Sequence, residues 1–249
     1  MSLAKVGFLV LLAGAVAQAQ LGTSGIPASS VQTQRIAMAA PNSQARVVPT
    51  AAPRAVSAAA LLPVQSKNPK ELGVGKLLVA SRGLGDPNFT KTVILLVQFD
   101  AEGVVGLILN RRTEMPISQV IEGIKGAKDR ADPVYLGGPV DLQVILGLRK
   151  SQAKIEGAKQ ICDQVYQISS KAQMEQIMSD KVPPTAVHVY VGYAGWTKDQ
   201  LRKEMEMGGW FVFPGDAETV FSADPESLWE QMIRKTELQF ARNETARGD

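Results

Sequence analysis

The stretch that decides the fold lies in the first half of the chain, where residues 92–98 read Thr-Val-Ile-Leu-Leu-Val-Gln. A continuous apolar run of this kind is typical of a strand that is buried on both faces of a sheet. The turn-forming residues 100–103, Asp-Ala-Glu-Gly, follow it, and residues 104–109 form a second apolar run. Two strands joined by so short a turn pair as a hairpin, so the sequence predicts antiparallel pairing in the core.

Shorter apolar or amphipathic runs lie on both sides of this hairpin. The runs that predict further strands cover residues 76–80, 134–136, 142–148, 164–168, 186–191 and 210–213. The runs that predict helices cover residues 116–124, 172–179, 197–207 (with Thr197 as N-cap) and 225–238. Because strands and helices mix without a regular βαβ alternation, the sequence predicts an α+β fold with a largely antiparallel sheet closed or covered by helices.

Composition and charge exclude several classes of protein. The chain has 249 residues, of which 45% are hydrophobic and 20% are charged, close to ordinary globular usage. Residues 1–70 contain six basic and no acidic side chains, so residues 71–249 carry 21 basic and 24 acidic groups. This mildly acidic remainder argues against direct nucleic-acid binding. One cysteine and one histidine exclude an intramolecular disulfide and a Cys/His zinc site; the sequence predicts no metal and no cofactor.

The first 19 residues have the features of an export signal. Lys5 provides a positive charge, residues 6–17 are apolar, and Ala17-Gln18-Ala19 offers the small-x-small pattern of a signal-peptidase site. The apolar stretch is shorter than the roughly 20 residues that a membrane-spanning helix needs. We therefore predict a signal peptide over residues 1–19, export to the periplasm or the medium, and a mature chain without a transmembrane span. An uncleaved anchor and an organelle transit peptide are the alternatives.

The following segment, residues 20–70, is rich in Ala, Pro and Ser and shows no sustained hydrophobic periodicity. Such a composition buries too little apolar surface to offset the entropy of ordering, so we predict a disordered tether. The folded domain is predicted over residues 71–240, and a short disordered tail over residues 241–249.

Catalytic motifs are weak. Residues 82–86, Arg-Gly-Leu-Gly-Asp, contain a Gly-x-Gly, but they lack the third glycine and the following helix of a phosphate-binding loop. No Gly-x-Ser-x-Gly is present in the sequence. His188 lies on a predicted strand, on the face opposite the neighbouring valines, and is predicted to be half-buried or exposed. Cys162 is an unpaired thiol that we predict to be buried rather than reactive.

Five motifs occur in the order found in one bacterial family. They are Gly75-x-Leu-Leu-Val-Ala80, Asp86-x-x-Phe89-x-x-Thr92-Val93, Gly106-Leu-Ile-Leu-Asn110-Arg111, Val134-Tyr-Leu-Gly-Gly-Pro-Val140 and Gly192-Tyr-Ala-Gly-Trp196. Over about residues 73–236 the chain resembles the AlgH/YqgE family. The resemblance implies a single compact α+β domain with a partly barrel-like sheet. It implies no settled activity, and the family's transcriptional-regulator label comes from a genetic link to alginate control.

Several residues of these motifs are predicted to end strands or to lie in the adjoining turns. They are Asp86, Asn110, Arg111, Gly137, Gly138, Pro139, Tyr193 and Trp196, together with Gly192 and Gly195. Because strand-end loops commonly carry binding groups on a rigid scaffold, we predict that these turns converge in one ligand- or partner-binding groove. Asp86 and Asn110 would orient a ligand there, and Arg111 would meet an anionic group. The alternative is structural: Asp86 and Asn110 satisfy backbone donors in their own turns.

Three classes of function agree with these observations. The sequence favours a non-enzymatic binding or scaffolding protein, exported from the cytoplasm, whose partner is an unknown protein or small molecule. The second class is a hydrolase or transferase that uses Asp86, Asn110 and His188. The third class is an indirect regulator of gene expression, as the family label suggests. A deep pocket with converging titratable side chains would favour the enzyme, and a shallow polar groove the binding protein.

Overall fold

The computed structural model describes residues 68–180 and 182–245, within which ten strands and five α-helices follow one another. The strands are β1 (Lys76–Ala80), β2 (Val93–Asp100), β3 (Gly103–Ile108), β4 (Arg112–Pro116), β5 (Pro133–Leu136), β6 (Val140–Lys150), β7 (Lys159–Cys162), β8 (Val165–Ile168), β9 (Val187–Trp196) and β10 (Trp210–Pro214). The helices are α1 (Ile117–Val120), α2 (Lys171–Ser179), α3 (Lys198–Glu206), α4 (Ala217–Val220) and α5 (Leu228–Thr245). Short 3-10 turns occupy Pro69–Glu71, Ala127–Asp129 and Pro184–Ala186.

The strands form one strongly curled sheet. Its strand order is β10-β1-β2-β3-β9-β6-β8-β7, and every pair along this path is antiparallel. The antiparallel pair β4–β5 is attached through β5, which runs parallel to β9 and sets Tyr135 opposite Tyr190. The sheet curls far enough that the Lys159 ammonium of β7 donates to the Val97 carbonyl of β2 at 2.8 Å. The predicted α+β fold with a partly barrel-like, largely antiparallel sheet is confirmed.

The burial pattern explains why the central strands form. Residues 93–97 of β2 are buried on both faces, as their continuous apolar run predicts. The larger core cluster lies between the strands around β2 and α5, whose Trp229 indole donates to the Ala80 carbonyl at 2.7 Å. A smaller cluster packs α1 and α2 against β6, β8 and β9. The predicted N-cap of α3 is also present, because the Thr197 side chain accepts from the Gln200 amide at 3.1 Å.

The structure differs from the predicted elements most clearly in β9. This strand continues to Trp196, so Gly192, Tyr193 and Gly195 lie within a strand and not in a turn, and Trp196 ends the strand. The glycines suggested a turn, but β3 and β6 flank β9 here and pair with this part of the strand. Strands β4 and β7 and the short helix α4 were not predicted, because none of them has a sustained apolar run.

The ends of the described chain only partly overlap the predicted boundaries. Helix α5 runs to Thr245, so the predicted tail of residues 241–249 begins inside a helix. Residues 246–249, the predicted signal peptide and residues 20–67 of the predicted tether lie outside the described residues. A search of the described helices finds none with the length and apolar character needed to cross a membrane.

Candidate functional site

The Asp86 side chain organises its own loop. Its Oδ1 accepts a hydrogen bond from the Asn88 amide at 2.8 Å, and its carbonyl accepts from the Phe89 and Thr90 amides at 3.0 Å each. An aspartate that accepts from the amide two residues ahead stabilises a turn. Asp86 is exposed, and its negative charge acts on Arg111, so these two predicted site residues lie near one another.

The Asn110 amide joins two points of the backbone that precedes and begins β2. Its Oδ1 accepts from the Val93 amide at 2.9 Å, and its Nδ2 donates to the Lys91 carbonyl at 2.9 Å. Lys91 has a φ of +56°, a left-handed conformation that is uncommon for a residue with a side chain. Asn110 thus holds a strained turn, which is the structural role that the sequence left open as an alternative.

Arg111 differs from its neighbours in this cluster. Its guanidinium is half-buried; burial lowers its pKa, and the Asp86 carboxylate opposes that effect. With the described residues, the guanidinium makes no hydrogen bond and no ion pair within 4 Å. Arg111 is therefore the member of the cluster whose guanidinium donors are not used within the described chain.

Gly137 and Gly138 allow the chain to cross over β9. A Cβ on Gly138 would overlap the Tyr193 backbone, and a Cβ on Gly137 would overlap the Gly192 carbonyl. Close approach of two backbones therefore accounts for both glycines without a ligand. Pro139 follows the crossing and is exposed.

Trp196 is a core residue and not part of an open groove. Its ring stacks on Phe89 with 5.2 Å between centroids, and its Nε1 donates to Glu204 Oε2 at 3.2 Å. Trp210 Nε1 donates to the same oxygen at 2.9 Å, so one carboxylate satisfies two indoles. Tyr193 is half-buried beside the larger core cluster. Of the predicted groove residues, the structure brings Asp86 and Arg111 together and packs Trp196 into the core.

A separate pocket of about 170 Å³ lies beside the first half of β9. Its walls include the rings of Tyr135, His188 and Phe221 and several prolines. We call it the His188 pocket and define it by Arg112, Asp132, Tyr135, His188, Phe221 and Ala223.

His188 forms a buried part of the pocket wall. Only 7% of the residue is exposed, and its ring lies 4.4 Å from the Tyr135 ring and 4.9 Å from the Phe221 ring, measured between centroids. The Tyr135 hydroxyl and His188 Nε2 are 3.4 Å apart. The prediction that His188 is half-buried or exposed is wrong, because Tyr135 and Phe221 cover this face of β9.

Two polar atoms in this region are buried without a hydrogen-bond partner among the described residues: His188 Nδ1 and the Tyr190 hydroxyl. Buried polar side-chain atoms in proteins nearly always have such a partner. Burial lowers the pKa of His188 from 6.5 to about 4, so the imidazole is neutral at pH 7. Burial also raises the pKa of Tyr135 and of Tyr190, and both hydroxyls keep their protons.

The ion pairs that border the pocket differ in how far they are exposed to solvent. Arg112 Nη2 lies 3.3 Å from Glu226 Oε1, and these side chains are 44% and 73% exposed. Asp132 forms an ion pair with the buried Arg130, whose Nη1 also donates to the Val182 carbonyl at 2.6 Å. The Asp132 carboxylate is therefore fixed inside the protein, whereas the Arg112 pair is open to solvent.

Sequence reasoning missed this pocket as a site. Arg112 begins β4, which has no apolar run, and Tyr135 meets His188 only because β5 pairs in parallel with β9. The sequence signal for this pocket was weak. It consisted of the one histidine of the chain, which lies within a strand of aromatic and β-branched residues.

Cys162 and the side-chain types that bind metals are two further candidates in the described part of the chain. Burial, together with the Asp216 and Asp163 carboxylates, raises the pKa of the half-buried Cys162 thiol to about 11. Such a thiol is protonated and unreactive at neutral pH. Among the residues that the structure describes, no group of three or more His, Cys, Asp or Glu side chains is arranged to hold a metal ion.

The curled, mostly antiparallel sheet with few helices defines a half-barrel α+β domain. A model of the AlgH-like family matches residues 77–241, and the chain belongs to this family. A UPF0301 protein of Chlorobaculum tepidum is 34% identical over 161 residues, which cover 64% of this chain and 84% of the relative. A UPF0301 protein of Streptomyces avermitilis is 33% identical over 176 residues, which cover 67% and 88%.

Two solved structures share the fold. A crystal structure of a protein from Corynebacterium diphtheriae has a TM-score of 0.56 at 24% identity and covers 66% of this chain and 87% of its own. The solution structure of the AlgH protein from Pseudomonas aeruginosa has a TM-score of 0.53 at 23% identity and covers 65% and 87%. At these identities the similarity shows the fold alone.

Proposed function

We propose that this domain is a non-enzymatic binding module and that the His188 pocket holds part of its ligand. The observation that carries the proposal is a cavity of about 170 Å³ beside the imidazole of His188, a residue that is 7% exposed. The Nδ1 of that imidazole has no hydrogen-bond partner among the described residues. An unpartnered buried polar group costs about 1–3 kcal/mol, and a domain that keeps one gives up stability as functional sites do.

The size of the pocket sets the scale of the ligand. Pockets for drug-sized molecules usually exceed roughly 300 Å³, whereas a cavity of about 150 Å³ is enough for a benzene ring. The His188 pocket, at about 170 Å³, suits one ring or one apolar side chain. The ligand is therefore a compact molecule or the protruding group of a larger partner.

The hydrolase or transferase alternative has less support. Asp86 and Asn110 bond to the backbone of nearby turns, and His188 stacks on Tyr135, so the three side chains share no partner. A histidine with a pKa of about 4 is a weak base near neutral pH. Within the described chain, no carboxylate bonds to the His188 ring to orient it or to stabilise its charged form.

Export belongs to the same proposal. Lys5, the apolar residues 6–17 and Ala17-Gln18-Ala19 support a cleaved signal, after which residues 20–70 would tether the domain outside the cytoplasm. Any influence on gene expression would then be indirect, through a bound partner. N-terminal sequencing of protein from the non-cytoplasmic fraction should find Gln20 first, and an intact Met1 in the cytosol would contradict export.

Protein-observed NMR with a library of single-ring compounds tests the binding function on the full chain. We expect weak binders that shift the resonances of Tyr135, His188 and Phe221. Ala223→Trp, at the exposed mouth of the pocket, should abolish this binding, because the indole occupies the entrance. Ala101→Trp, at an exposed alanine in the turn between β2 and β3, is the matched control. A library without binders, or binders that tolerate Ala223→Trp, would reject the proposal.

A further inference from the structure

We infer that the His188 pocket selects an aromatic carboxylate, with the ring against the wall that Tyr135, His188 and Phe221 form and the carboxylate on Arg112. This inference rests on the proposed binding function. It concerns the chemical class of the ligand. It is argued from the charged groups at the rim and from whether each of them can exchange its present partner for a ligand.

The apolar part of the ligand is set by the walls. The Tyr135 and His188 rings are stacked, with 25° between their planes, and the Phe221 ring is tilted by 49° from that of His188. Flat surfaces of this kind favour offset-stacked or edge contacts with another ring. The imidazole is neutral at pH 7, so it adds a further uncharged planar surface and no second cation.

The anionic part of the ligand is set by Arg112. This guanidinium already meets a carboxylate, Glu226, at 3.3 Å, and Glu226 is 73% exposed. An exposed ion pair of this kind contributes little to stability, so Glu226 can turn into solvent at low cost. A ligand carboxylate next to an apolar ring would meet the guanidinium in a drier setting, where a planar, bidentate contact is stronger.

The other acidic neighbours of Arg112 already have hydrogen-bond partners. Asp132 borders the pocket, but the buried Arg130 engages its carboxylate through Nε at 2.8 Å. Asp224 is fixed by Ser227, whose amide and hydroxyl donate to it at 3.2 and 2.5 Å. Glu226 is therefore the carboxylate that competes directly with an anionic ligand for Arg112.

Three single-ring probes test the inference by NMR titration of the full chain: benzoate, benzyl alcohol and benzylamine. We expect benzoate to bind at least tenfold more tightly than benzyl alcohol, with benzylamine the weakest. Arg112→Gln should remove the advantage of benzoate and leave benzyl alcohol binding unchanged, which also shows that the variant pocket is folded.

A second variant should change the affinity for benzoate in the opposite direction. Glu226→Gln should tighten benzoate binding several-fold, because it removes the competing carboxylate without filling the pocket. Glu230→Gln, at another exposed glutamate near the start of α5, should leave the affinity unchanged. Equal affinities for benzoate and benzyl alcohol, or tightest binding of benzylamine, would overturn the inference and leave the binding function standing. If none of the three probes binds in the pocket, this inference fails, and the binding function fails only if the wider library also contains no binder.

Discussion

The turn around Asn110 and the His188 pocket differ in how their polar groups are used. In the turn, both ends of the Asn110 amide bond to backbone at 2.9 Å, and Asp86 accepts from amides of its own loop. At the pocket, His188 Nδ1 is buried without a partner among the described residues, and so is the hydroxyl of Tyr190, which lies in the core behind the pocket wall. The two regions lie in one half-barrel, and in the Asn110 region the Arg111 guanidinium is the group that has no such partner among the described residues.

This difference shows that polar residues at strand ends can be required by the fold itself. A strained backbone, such as that of Lys91 at φ +56°, needs a side chain that supplies both a donor and an acceptor. A binding site needs the reverse, which is polar groups that the fold leaves available. Four predictions test this contrast between satisfied and unsatisfied groups.

The largest effect is expected for Glu204→Ala. The variant removes the acceptor of the Trp196 and Trp210 indoles, which bond to Oε2 at 3.2 and 2.9 Å. Each buried donor left unpaired costs about 1–3 kcal/mol, so we expect a loss of about 3 kcal/mol in the free energy of unfolding. Urea denaturation measures it, with Glu206→Ala in the same helix as the control. A loss no larger than the control's would mean that water replaces the carboxylate.

Asn110→Ala should destabilise the domain by about 2 kcal/mol, because two hydrogen bonds to backbone are lost and the buried Val93 amide loses its acceptor. Binding of single-ring compounds in the His188 pocket should be unchanged. Asn88→Ala, at an exposed asparagine of the preceding loop, should have little effect on stability. A stable Asn110→Ala variant that fails to bind a partner would restore the groove predicted from the sequence.

The pH dependence of stability tests the burial of His188. The pKa of His188 falls from 6.5 to about 4 on folding. Below pH 6.5 the imidazole is therefore protonated in the unfolded chain but stays neutral in the folded domain. Stability should therefore fall as the pH falls, by about 1.3 kcal/mol between pH 7.5 and 5.5 for this group alone. His188→Leu should lack this part of the dependence. Urea denaturation at both pH values measures the difference. If the free energy of unfolding fell by the same amount in wild type and His188→Leu, His188 would not be a buried neutral imidazole.

The sequence contains enough information for the central strands and less for the pocket. Residues 93–97 form an apolar run that is typical of a doubly buried strand, and Thr197 has the features of a helix cap. The parallel pairing of β5 with β9, which sets Tyr135 against His188, depends on contacts between distant segments and has no local signal. The glycines of β9 were interpreted as a turn because their role, the close crossing by Gly138, is visible only in three dimensions.

The smallest effect is expected for Arg111→Gln, which tests the one group of the Asn110 region that resembles the pocket in being unused. Its half-buried guanidinium has no hydrogen bond to the described residues, and burial and the Asp86 carboxylate act on its pKa in opposite directions. We expect the free energy of unfolding to change by less than about 0.5 kcal/mol, the range of surface substitutions that break no contact. Urea denaturation with and without added phosphate measures both stability and anion binding. If phosphate stabilises the wild type and not Arg111→Gln, Arg111 holds an anion and the strand-end turns form a second site. If phosphate has the same effect on both proteins, the contrast between the two regions stands, because the turn then has no group that a ligand uses.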